Sequence, residues 1–119
     1  ICAAARADGA GGRFAVSVKL SAIHPRHDAA SHSRVRGAML EALRDLCRAA
    51  AAQGIGLTID AEESWRVPLQ LDLLKALALD EELLAWSGLG LALQAYRRDA
   101  LRDLESVLGI AALRVAKGG

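Results

Sequence analysis

Four side chains of this chain share one placement: Lys19, Asp60, Gln94 and Arg114 each stand near the C-terminal end of a run in which bulky and small residues alternate. Lys19 and Arg114 against Asp60 leave a surplus of positive charge. Brought together and away from water, such charges cost several kcal/mol unless they are paired. The group must therefore form an internal ion network or meet a ligand, and an anionic ligand fits its charge.

Whether the four meet depends on the elements that carry them. The alternating runs are Phe14 to Leu20, Ile55 to Asp60, Leu89 to Gln94 and Ile110 to Ala116, and period two predicts strands. In the first, Phe14, Val16, Val18 and Leu20 oppose Ala15, Ser17 and Lys19. In the second, Ile55, Leu57 and Ile59 oppose Gly56, Thr58 and Asp60. In the third, Leu89, Leu91 and Leu93 oppose Gly90, Ala92 and Gln94, and in the fourth, Leu113 and Val115 oppose Ala112, Arg114 and Ala116. Each strand thus has a bulky face and a small face, and each small face carries one of these polar groups near its C-terminal end.

Segments of helical period lie between the runs. Val35, Ala38, Met39, Ala42, Leu46 and Ala49, flanked by Leu43 and Cys47, predict an amphipathic helix of about five turns that Gly54 ends. A second helix opens at Pro68 and runs through Leu69, Leu73, Leu74 and Leu77 toward Asp80. A short piece from Glu81 to Trp86 leads to the third strand. A third helix carries Ala100, Leu101, Leu104, Val107 and Leu108, with Gly109 as its stop. The predicted order is β-α-β-α-β-α-β. Such alternation implies an α/β fold with parallel strands and right-handed crossovers, in a barrel or an open doubly wound sheet. With the bulky faces under the helices, the four polar residues would converge where barrel enzymes keep their sites.

Composition narrows the function classes. A hydrophobic content of 53% with 24% charged residues belongs to a globular domain. The formal charge of +1, without a block of like charges, gives no footprint for nucleic acid. Cys2 and Cys47 have no metal-ligand spacing and fit a reducing, cytoplasmic setting. No signal peptide or membrane span is visible. Residues 1–12 read as a flexible segment and 13–119 as one partial barrel domain. The start on Ile1 and the end on Gly118 and Gly119, directly after a strand-like run, give the sequence the look of an excerpt.

Four stretches in order carry a more specific signal. SVKLSAIHPR at 17–26, GIGLTIDAEES at 54–64, GLGLALQAY at 88–96 and LRVAKGG at 113–119 resemble successive strand motifs of the proline dehydrogenase barrel. DAEE and HPR resemble its proline utilisation A type. The resemblance implies about four strands of a (β/α)₈ barrel, which is complete at about 250 residues. It implies FAD-dependent oxidation of L-proline to pyrroline-5-carboxylate, with electrons passed to a quinone at the membrane, to which the protein binds peripherally. Residue by residue, it makes Lys19 the partner of the substrate carboxylate and Asp60 the active-site aspartate. It places the backbone of Ala61 and the amide of Gln94 on the flavin, Arg114 near the flavin's reactive nitrogen, and Lys117, Gly118 and Gly119 on an FAD loop.

Three departures from that family stand out. The stretch between Gln94 and Arg114 is about seven residues short, or roughly two helical turns, the last motif reads RVAKGG where the family has RLVKGA, and the first strand and the last three are absent. The chain by itself is therefore expected to be inactive, as a fragment or a non-catalytic remnant. A second enzyme reading is an aldolase-like barrel whose Lys19 forms a Schiff base. His24, His27 and His32 read as solvated loop residues and not a metal site. Glu62 and Glu63 could do acid–base chemistry but are expected to hold loops or pair with basic residues. Trp65, Trp86 and Tyr96 are expected to anchor core or loops, and Arg97 and Arg98 to be a solvated helix start.

Overall fold

Three of the four alternating runs become strands in the computed structural model, which describes residues 14–24 and 32–119. The expected flexible segment at 1–12, and Pro25, Arg26 and His27, lie outside the described residues. Strands β1 (Ala15–Val18), β2 (Gly56–Ile59) and β3 (Leu89–Leu91) form one parallel sheet in the order β1-β2-β3. The register pairs Val18 with Ile59 and Ile59 with Leu91. The ladder runs one residue further, because the Asp60 N–H donates to the Val18 carbonyl at 2.9 Å and the Ala92 N–H to the Ile59 carbonyl at 2.9 Å.

Packing follows the alternation. Ile55, Leu57 and Ile59 are buried, and Val16, Val18, Leu89 and Leu91 pack partly buried against the same core. Helix α1 (His32–Ala52) and helix α2 (Val67–Ala78) cover this face. The buried stripe of α1 is Val35, Met39, Leu43, Cys47 and Ala50. It is centred on the residues expected to flank it, while Ala38 and Ala49 are exposed and Leu46 is 41% exposed. Gly54 ends the segment as expected: its φ is 67°, the Ile55 N–H donates to Ala50 and the Gly54 N–H to Ala51, which is a Schellman closure. Pro68 stands in the first turn of α2, where its missing N–H leaves no bond unmade.

The fourth expected strand is not one. Residues 110–116 continue helix α3, which spans Ala100–Ala116. Gly109 does not stop it: its φ is not positive, and a Cβ there would meet nothing within 4 Å. One interior glycine costs a helix about 1 kcal/mol, and the Ala, Leu and Arg around it are strong helix formers. Burial adds to this, since Ile110 and Val107 pack with Leu74, Ala78, Leu89 and Leu91. Gly109→Ala is accordingly expected to raise stability by about 0.5–1 kcal/mol in urea unfolding. A glycine stop in the left-handed region would give a loss.

Candidate functional site

The C-terminal ends of the strands gather three of the expected site residues. Lys19, with φ −87° and ψ 135°, continues β1 by one extended residue and is exposed. Asp60 and Ala92 share its row in the register. Gln94 lies three residues beyond the end of β3, in the loop that follows it. Between that loop and the loop after β2 lies an open depression of about 630 Å³, lined by Gln94, Tyr96, Arg97, Glu62, Glu63 and Ser64 among others.

Local bonds fix the loop after β2. The Asp60 carboxylate accepts the Ala61 N–H at 2.9 Å, and the Asp60 carbonyl accepts the amide of Gln70 at 2.8 Å. Gln70 is buried within the apolar face of α2, where an unbonded amide would be costly. It was not among the expected site residues, although a glutamine between Leu69 and Leu73 was the visible signal. Glu62 does what was expected of it and pairs with a basic residue: Arg66 Nη1 stands 3.4 Å from its Oε2. Arg66 also lies 2.7 Å from a Glu63 carboxylate oxygen and 4.7 Å from the Trp65 ring centre.

The small face of the sheet is open. Gly56, Thr58, Gly90 and Ala92 are all half-buried there, and a Cβ on Gly90 would come 2.9 Å from Thr58 Oγ1. A flat group could lie on such a surface.

Arg114, Lys117, Gly118 and Gly119 are not at this end, and the expectation that they share the site is corrected. Because residues 110–116 are helical, Arg114 extends toward the N-terminal end of β3. Its guanidinium donates to the carbonyls of Ala78 at 2.9 Å, Leu83 at 2.7 Å, Leu84 at 2.9 Å and Trp86 at 2.7 Å. Lys117 donates to Leu79 at 3.0 Å and faces Glu81. Gly118 and Gly119 close the same helix end. These groups tie the α2 to β3 connection instead of facing the mouth.

The remaining candidates sort by burial. Trp86 anchors a loop, its indole N–H donating to the Ile55 carbonyl at 3.1 Å. Tyr96 is 84% exposed. Arg97 is not merely solvated, since it pairs at 3.0 Å with the buried Asp103. Among the described residues no group of His, Cys, Asp and Glu could hold a metal ion, and no helix is long and apolar enough to cross a membrane.

Two pKa shifts bear on stability. Burial of Asp80 works to raise its pKa, but the bonds from Arg44 and the Glu82 N–H, with the charges of Arg44 and Arg48, hold it below the usual carboxylate range. Cys47 is fully buried, and desolvation, aided by the Asp80 charge, pushes its thiol up to about 11 from 9.0. The folded state then holds this proton more tightly than the unfolded state. Its contribution is full below pH 9.0 and is lost as pH rises through about 11. Urea midpoints are expected to fall between those pH values, and to fall less in Cys47→Ala. A thiol reagent at neutral pH should leave Cys47 unlabelled until the chain unfolds.

The family model for proline dehydrogenase matches residues 3–117, and the chain belongs to that family. The bifunctional protein PutA of Salmonella typhimurium is 42% identical over 97 residues, covering 76% of this chain and 7% of that protein. The bifunctional protein PutA of Rhizobium meliloti is 43% identical over 96 residues, covering 81% of this chain and 8% of that protein. A solved mutant of Bradyrhizobium japonicum Proline Utilization A superposes with a TM-score of 0.80 at 41% identity, over 84% of this chain and 10% of the other. Proline utilization A from Bdellovibrio bacteriovorus, inactivated by N-propargylglycine, gives 0.77 at 26% identity over 83% of this chain and 10% of the other. The fold is therefore a partial barrel of the TIM type, and the chain spans less than a tenth of the curated relatives it matches.

Proposed function

We propose that the chain supplies one sector of the active site of an FAD-dependent proline dehydrogenase, which oxidises L-proline to pyrroline-5-carboxylate. The observation that carries this reading is the placement of Lys19 and Asp60 side by side at the C-terminal end of a parallel sheet, with Gln94 in the loop after β3, in a chain of the proline dehydrogenase family. Gly56, Thr58, Gly90 and Ala92 offer a surface without bulky side chains, which fits the edge of a flat ring. When bound, FAD would supply the hydride acceptor, and the proline nitrogen would give up its proton as the C=N bond forms.

The chain's own residues bind and orient. The exposed Lys19 ammonium pairs with the substrate carboxylate, a charged hydrogen bond worth about 1.5–3 kcal/mol. Asp60 balances the Lys19 charge, held by Gln70 at its carbonyl and by Ala61 at its carboxylate. The Gln94 amide would hydrogen-bond the ring and the Ala61 backbone would contact it, its N–H being held by Asp60. Arg114 and residues 117–119 have no part in this proposal, because they stand at the other end of the sheet. The reading extends to a quinone at a membrane surface as electron acceptor and to a cytoplasmic protein with peripheral membrane contact. A Schiff base on Lys19 is the weaker reading, since it has no support in the family match.

Visible absorbance tests this. The chain alone is expected to be colourless and inactive. Residues 14–98 grafted in place of the matching stretch of the Rhizobium meliloti protein are expected to give flavin bands that bleach with L-proline and are lost to N-propargylglycine. A colourless graft that ignores proline, with a carbonyl substrate trapped on Lys19 by borohydride, would overturn the reading.

A further inference from the structure

The turn that carries Lys19 is held from a second strand end, through a carboxylate that the proposed function does not use. Lys19 precedes a single helical turn, Leu20–Ile23, too short to be rigid by itself and without a side-chain cap. Glu62 reaches it from the loop after β2. Its carboxylate accepts the Ser21 N–H at 3.2 Å and the Ser21 hydroxyl. The same carboxylate faces Arg66 Nη1 at 3.4 Å, with side-chain exposures of only 7% and 11%.

The arrangement is a clasp. Ser21 offers two donors to one carboxylate, and charge-assisted bonds of this kind are short and about twice as strong as neutral ones. Arg66 supplies the charge that makes burial of Glu62 tolerable, and is itself seated on Trp65 and Glu63. The Ala22 N–H donates back to the Lys19 carbonyl at 3.0 Å, so holding Ser21 also holds the Lys19 backbone. The loop that carries Asp60 is thereby fastened to the turn that carries Lys19. A side chain of four methylenes on an unfastened turn would spread its ammonium over several ångströms, and misplacement on that scale weakens binding steeply.

We propose that Glu62, acting through Ser21, is a positioning residue that sets where Lys19 presents its ammonium to the substrate carboxylate. This rests on the proline dehydrogenase reading above. Neither Ser21 nor Glu62 touches substrate. Their effect is on substrate affinity, which is uniform binding, and not on the chemical step.

Two measurements test the clasp, and the first needs no substrate. In the chain itself, Glu62→Ala is expected to speed hydrogen exchange of the Ser21 amide by at least tenfold while Ile59 and Leu57 keep their protection. In the graft described above, Ser21→Ala is expected to raise KM for L-proline about tenfold, equivalent to about 1.4 kcal/mol, with kcat changed less than twofold and the flavin spectrum unchanged. In a Lys19→Met background the same Ser21→Ala change should have almost no further effect on KM. Equal effects with and without Lys19 would reduce Ser21 and Glu62 to scaffold and overturn the proposal, as would unaltered Ser21 exchange in Glu62→Ala. A parental graft that does not respond to proline would strike the functional reading first, and the exchange result would still decide whether the clasp exists.

Discussion

Replacing Arg114 with Met is expected to lower the stability of the chain by about 2–4 kcal/mol and to leave the Lys19, Asp60 and Gln94 end of the sheet unchanged. Four carbonyls, those of Ala78, Leu83, Leu84 and Trp86, receive its guanidinium N–H groups. They close the end of α2 and the connection to β3, where the chain has run out of regular partners. Methionine keeps the packing of the stem and removes every donor. Leu83 would retain one bond, from the Trp86 N–H at 3.1 Å, so the loss falls mainly on the other three. Arg114→Lys should recover less than half, because one ammonium cannot fan out over four acceptors as a planar fork does. Urea unfolding measures the cost. Amide exchange across residues 79–86 locates it, and acceleration there with the mouth unchanged is the expected pattern. Were Arg114 a group of the mouth, the same variant would leave that connection protected.

The same arginine shows what the sequence could and could not disclose. Three strands were legible because a buried face and an open face alternate with period two, and the register then brings Lys19, Asp60 and Ala92 into line without further information. Residues 110–116 have that alternation too, but a short run of Ile, Ala, Leu and Val suits a helix as well as a strand. What decides between them is long-range: Ile110 packs on Leu74 and Ala78, and the acceptors of Arg114 lie about thirty residues earlier. Local pattern carries none of this. The shortened stretch before Arg114 was the available hint, since it leaves little room for a helix, a turn and a strand. In α1 the periodicity of Ala38 and Ala49 misleads for another reason: alanine brings little surface to bury, so both are exposed and the stripe follows Met39, Leu43 and Cys47. Ser21 and Glu62, 41 residues apart, meet only once β1 and β2 are paired.

The central strand offers the sharpest contrast, because adjacent residues there serve opposite faces. Leu57 is 1% exposed beneath the helices, and its neighbour Thr58 is half-buried on the open face. Leu57→Ala removes three buried carbons from a core bounded by few elements, and is expected to cost about 3–5 kcal/mol. For a domain whose whole stability is on the order of 5–15 kcal/mol, that is enough to broaden or abolish a cooperative urea transition. Thr58→Ala should cost less than about 1 kcal/mol, since no core contact is lost. Gly90 reports on the same face from its function. Its Cβ would press on Thr58 Oγ1 at 2.9 Å, but in the chain itself β3 is an edge strand that can shift, so Gly90→Val should fold there with a modest loss. Circular dichroism of the graft variant checks that the whole barrel folds too. The isopropyl group would then stand on the surface where the ring is proposed to lie. In the graft, flavin absorbance is expected to fall at least tenfold for Gly90→Val and to remain for Thr58→Ala. Retention of flavin by the valine variant would place the ring elsewhere, and with it the proposed roles of Ala61 and Gln94.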